Sequence, residues 1–173
     1  MLSYKKLVIV LSLPLLSGCG FQPIFGTGVS PIIKGEMKHI EISPIADKLG
    51  QALRNQLVQN IRPLGKSKIT KYLLNVKITE SKQNLAIKKS EIATRANLTF
   101  VATYKIVSTI KKSTLTSGSS SMIASYNILT QTYATLSAER DARNRAIREI
   151  SADITSKIAS FFRLNRDKIK NLK

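Results

Sequence analysis

The chain has 173 residues, with 28 Lys and Arg against 10 Asp and Glu, a formal net charge of +18, one Cys, one His and no Trp. That length gives room for one domain with a real core and hardly for two. A single cysteine excludes an intramolecular disulfide and a thiolate metal cluster, the single His39 removes most histidine-based catalysis, and 6% aromatic residues are thin for a base-stacking surface. The positive balance suits a polyanion, whether nucleic acid or an anionic membrane surface, or follows from a composition rich in Ile, Lys, Asn and Ser; it speaks to partners and not to fold.

In chain order, Lys5 and Lys6 precede an apolar run from Leu7 to Leu16, broken by Ser12 and Pro14. The run is too short to span a bilayer, which takes about 20 apolar residues, and has the length of a secretory signal's core. Leu16-Ser17-Gly18-Cys19 follows, and this order of lysines, apolar run, small residues and cysteine resembles the lipobox of bacterial lipoproteins. The resemblance implies a mature chain that starts at an acylated Cys19. Gly20, where inner-membrane lipoproteins carry Asp, implies delivery to the outer membrane. Acyl chains there would hold the protein firmly. Export sets nucleic acid aside as a partner and leaves lipopolysaccharide phosphates and anionic head groups.

Gly20, Gly26, Gly28 and Gly35 with Pro23 and Pro31 predict an irregular tether. Met37–Ile42 reads as a short first strand. Ala46–Arg62 reads as a helix, with Leu49, Leu53, Leu57 and Ile61 every fourth residue, Ser43 or Asp47 as cap, and Pro63 with Gly65 as the stop. Lys71–Glu80 alternates Tyr72, Leu74, Val76 and Ile78 on one face, a second strand. Ser81–Glu91 is polar and reads as a connection. Ile92–Ser108 is a long third strand, with Leu98, Phe100, Ala102, Tyr104 and Ile106 on one face and Asn97, Thr99, Val101, Thr103 and Lys105 on the other. After a turn at Lys111 and Lys112, Leu115–Tyr126 is a Ser-rich fourth strand. Tyr133–Phe162 is a long helix whose stripe is Leu136, Ile147, Ile150, Ile154, Ile158 and Phe161. Its other face pairs Glu139 with Arg143 and Asp141 with Arg145 at i,i+4, a solvated charged surface.

The order β-α-β-β-β-α, with both helices one-sided, predicts an α+β fold. Two helices would cover one face of a four-stranded, mainly antiparallel sheet, leaving the other face small and polar. No HExxH, P-loop, GxGxxG or triad pattern occurs, so neither catalytic residues nor a metal or other cofactor are expected.

Three stretches resemble a known family. Cys19-Gly20-Phe21-Gln22-Pro23-Ile24-Phe25-Gly26 is similar to the CGFxPLYG opening of the alphaproteobacterial LPS-assembly lipoproteins, the LptE family, with Ile24 and Phe25 in place of Leu and Tyr. Leu49-Gly50-Gln51-Ala52-Leu53-Arg54-Asn55-Gln56-Leu57 and Tyr133–Ala142 are similar to that family's two helices. The resemblance implies residues 1–18 as signal peptide, 19–35 as lipidated tether, 36–163 as the family's domain and 164–173 as a basic tail. It implies a non-enzymatic lipoprotein of the outer membrane's periplasmic side. Such a protein assists and plugs an LptD-like translocon β-barrel and binds lipopolysaccharide. Lys82, Lys88 and Lys89 between the second and third strands, and Lys111 and Lys112 in the next turn, are candidate phosphate contacts by position and charge. A periplasmic lipid-transport accessory and a peptidoglycan-binding envelope scaffold are the other classes the chain leaves open.

Overall fold

The computed structural model describes residues 35–63, 65, 67–86 and 93–165. A helical turn at residues 35–37 leads into β1 (Ile40–Ile42), followed by α1 (Asp47–Ile61), β2 (Tyr72–Ala86), β3 (Ala93–Ser108), β4 (Thr114–Asn127) and α2 (Thr132–Leu164). The strands form one sheet in the order β1-β2-β3-β4. The pair β1–β2 is parallel and the other two pairs are antiparallel, so the expected α+β architecture is present with one parallel edge. α1 supplies the crossover that a parallel pair requires.

The first strand starts later than its pattern suggests. Residues 35–37 turn instead, closed by the His39 N–H on Glu36 O (3.0 Å). Glu36 also accepts the Tyr72 hydroxyl at 3.0 Å, and Met37 is buried. Tertiary contacts thus outweigh a three-residue alternation. In α1, Leu53, Leu57 and Ile61 are buried as the spacing predicts, and Gly65 follows at φ 94, a left-handed conformation suited to glycine. The expected side-chain cap is not made. Ala46 holds the N-cap position, and Ser43 Oγ instead donates to Asn75 Oδ1 (2.7 Å), tying the loop to β2.

β2 continues to Ala86, so residues 81–86 are strand and not connection. Ser81 to Asn84 are exposed. What makes this part a strand is pairing: Ser81 to Leu85 oppose Thr99 to Arg95 one for one. On the covered face Leu74, Leu98, Phe100, Ala102 and Ile106 are buried, as the alternation of β3 requires.

α2 is about 50 Å long. It lies along β4 and β3, and α1 packs beside it. Ala142, Ala146, Ile147, Ile150, Ile154, Ile158 and Phe162 are its buried stripe. Two expected members differ: Leu136 is 59% exposed, because the first turns overhang the sheet, and Phe162 takes the buried place expected of Phe161. The Phe162 ring meets Tyr72 edge-on at 5.1 Å. Asn60 Nδ2 donates to Ser151 Oγ (2.9 Å), joining the two helices. Among the described residues no helix is long and apolar enough to cross a membrane.

Candidate functional site

Two surfaces follow from this arrangement. The first is the sheet face that no helix covers. Period-two alternation places the odd-numbered residues of β2, β3 and β4 there. They include Asn75, Lys77 and Thr79; Arg95, Thr103 and Lys105; and Ser117, Ser119 and Ser121. Lys77, Arg95 and Lys105 are exposed. Lys105 pairs with Asn75 across β2–β3, and Lys77 pairs with Thr103. Together with Ser117 and Gly118 they line an open groove of about 570 Å³. Chemically it offers ammonium groups and hydroxyls on a flat floor, a set that can hold an anionic oxygen or line a polar partner surface. By register one acid, Glu41 of β1, falls on this face, 3.8 Å from Arg62.

The second surface is the end of the β2–β3 hairpin, where the start of α2 crosses it. Lys82 Nζ donates to Glu139 Oε2 at 2.8 Å and lies 5.4 Å from the centroid of the Tyr126 ring. The Tyr126 hydroxyl donates to the same oxygen at 2.6 Å. Arg143 bridges Glu139 to Glu80, its Nη2 donating to Glu80 Oε1 at 2.8 Å and to Glu139 Oε1. Glu139 keeps 12% of its side-chain surface. Its carboxyl is held down at about 2, first by the Lys82 hydrogen bond and then by those from Tyr126 and Arg143. Lys82 and Arg143 are both pushed up, chiefly by the bonds to Glu139 and Glu80 respectively. The cluster clamps the hairpin to the helix.

The sequence-predicted residues separate on this frame. Lys82 is a strand residue and not a loop lysine; it is paired with Glu139 and 44% exposed. Lys111 and Lys112 are exposed in the β3–β4 turn, with Lys112 at φ 51 and the Lys111 N–H on Ser108 Oγ (3.3 Å). That turn lies beyond Ser108 at the end of β3, whereas Lys82 pairs with Leu98, roughly 33 Å back along the strand, so the two groups cannot form one patch. Lys88, Lys89 and Cys19 lie outside the described residues. The Glu139–Arg143 pair is present, yet it belongs to a cluster joining β2, β4 and α2 and not to a solvated face; Asp141 and Arg145 are exposed and form no ion pair among the described residues. Lys77 and Arg95 were the cations missed on the open face, although the alternation of β2 and β3 already put them there. Among the described residues no three His, Cys, Asp or Glu side chains gather in a way that could hold a metal ion.

A family model for lipopolysaccharide assembly, LptE, matches residues 37–158, from the buried Met37 through most of α2. The chain belongs to the LptE family. Membership makes it a lipopolysaccharide-assembly lipoprotein of the cell envelope. The fold is shared with solved structures. One is an inferred lipoprotein of Caulobacter crescentus, with TM-score 0.61, 18% identity, and coverage of 75% of this chain and 94% of that one. Another is a minor lipoprotein of Acinetobacter baumannii, with TM-score 0.58, 17% identity, and coverage of 70% and 90%. A third is lipoprotein B of Nitrosomonas europaea, with TM-score 0.56, 12% identity, and coverage of 70% and 82%. At these identities the likeness is one of fold. No curated protein matches the LptE-family chain in sequence.

Proposed function

We propose that this protein is an outer-membrane lipoprotein, anchored on the periplasmic side through acylated Cys19. It assists assembly of the LptD-like translocon β-barrel, plugs its lumen and binds lipopolysaccharide at the last transfer step. The family match over residues 37–158 carries this reading. Residues 1–18 serve as signal peptide, 19–35 as the lipidated tether, 36–163 as the assembly domain and 164–173 as a basic tail.

Two features of the domain support it. The open sheet face is mostly Ser, Thr and Asn with scattered cations and one small apolar spot at Val101 and Ile123, a surface that tolerates contact with a polar barrel lumen and needs no large apolar patch. Lys77, Lys105 and Arg95 on that face join Lys88, Lys89, Lys111 and Lys112 as cations available to lipid A phosphates, while Lys82 is engaged by Glu139. No step of this role requires a nucleophile or a cofactor.

Affinity purification of the native lipoprotein from outer membranes tests the reading. Recovery of a large β-barrel together with lipopolysaccharide is expected. Recovery of an inner-membrane transporter, or of murein fragments, in place of the barrel would overturn it.

A further inference from the structure

Natural sheets guard their edges, because a long unpaired strand is a template for any other extended backbone. The two edges of this sheet differ sharply. β1 is three residues long, and Arg54 Nε already donates to its Ile42 carbonyl (3.3 Å). β4 is 14 residues long and contains no charged residue and no proline. From Thr116 to Asn127 its pairing to β3 runs without a register shift, so no bulge twists the edge away. Among the described residues no strand pairs with the outer side of β4.

One contact fixes which groups face outward. Lys157 Nζ donates to Ser119 O at 2.8 Å, so the Ser119 carbonyl points away from β3. In an antiparallel strand the N–H and C=O of one residue point the same way and alternate with those of its neighbours. Ser117, Ser121, Ile123 and Ser125 therefore present their amides and carbonyls at the edge as well. Their side chains are on the open face, where Ile123 is 59% and Val101 40% exposed. Val101 pairs with Ser121 and Thr99 with Ile123, so Ile123 and Val101 are diagonal neighbours and form a small apolar spot beside the free edge.

We infer that the outer edge of β4, residues 116–127, is a strand-docking site for an extended segment of the β-barrel partner. That segment is neutral or acidic, with an apolar side chain set over Ile123. Backbone hydrogen bonds would supply the binding, and the row of small side chains would let the incoming strand lie flat. A second copy of this chain is a poor occupant. Without Lys5 and Lys6 of the signal peptide each mature copy keeps 26 Lys and Arg against 10 Asp and Glu, a formal +16 that opposes self-association, while a neutral or acidic strand meets no such repulsion. The inference rests on the proposed barrel partnership and names its surface.

The test uses the full lipidated protein and Ser121→Pro. Proline removes one outward N–H and is tolerated on an edge strand where that N–H faces solvent, so the domain should keep its circular dichroism and melting curve. Ile123→Lys is the second variant, leaving the backbone intact. In the isolated protein, amides of Ser117, Ser121, Ile123 and Ser125 should exchange fast beside protected Ser120 and Ala124. Those four should gain protection when the co-purified barrel is bound. Each variant should recover the barrel at least about tenfold less well than wild type. Protection of the four amides in the isolated protein would mean the edge is already covered, by this chain or a second copy, and would overturn the inference. Equal barrel recovery by wild type and Ser121→Pro would also overturn it while leaving the assembly role standing. If wild type recovers no barrel, the assembly role falls and this occupant falls with it.

Discussion

Glu139 joins three elements through one carboxylate, and removing its charge should be felt in the stability of the whole domain. Glu139→Gln keeps the shape and loses the charge that receives Lys82, Tyr126 and Arg143. A hydrogen bond to a charged group contributes about 1.5–3 kcal/mol when sheltered and an exposed ion pair about 0.2–1. Here Glu139 is sheltered, but Lys82 is 44% and Arg143 37% exposed, Arg143 retains Glu80, and a glutamine still accepts one bond. The loss at neutral pH should therefore be about 1.5–2.5 kcal/mol. The pH dependence is the sharper part. The folded carboxyl titrates at about 2 against an ordinary 4.5, so its contribution is complete above pH 4.5 and lost as pH falls through about 2. Urea unfolding of wild type and variant, followed by far-UV circular dichroism across this range, measures the gap. It should be full at pH 6 and close by about pH 2. A gap under about 0.5 kcal/mol at neutral pH, or one that does not change with pH, would refute the clamp.

Gly118→Ala should cost about 1–2 kcal/mol, because the new Cβ would be 2.7 Å from the buried Tyr104 hydroxyl, and most of that cost should vanish in a Tyr104→Leu background. An equal penalty in both backgrounds, read by denaturant titration, would contradict this. Leu136→Ser should change stability by less than about 0.5 kcal/mol, since Leu136 overhangs the sheet and is exposed; a larger loss would restore it to the core. Lys88→Glu with Lys89→Glu should weaken lipopolysaccharide binding about tenfold at unchanged stability, and unchanged binding would remove these two lysines from the contact candidates.

What could be read from the chain was whatever repeats with a period. The alternation around Phe100 and the stripe from Ile147 to Ile158 each bury a face, and burial leaves a trace in the residue pattern. Residues 81–86 left no such trace, because a polar strand held by backbone pairing needs no apolar alternation. Ser43 looked like a helix cap and instead bonds Asn75, a residue 32 positions away that no local rule finds. Leu136 fits the helical period, but the period cannot say where the sheet beneath the helix ends. The site divides in the same way. Lys105, on the open face, followed from alternation in β3. The Glu80–Arg143–Glu139–Lys82 chain needed the tertiary approach of β2 to α2, of which only the i,i+4 pair was visible locally.

The central claim is that this chain serves lipopolysaccharide assembly at the outer membrane. Depleting it in its own cells and following pulse-labelled lipopolysaccharide to the cell surface tests this most directly. New lipopolysaccharide should accumulate short of the surface, and the wild-type gene should restore delivery where Cys19→Ser does not. Unimpaired delivery after depletion would contradict the account.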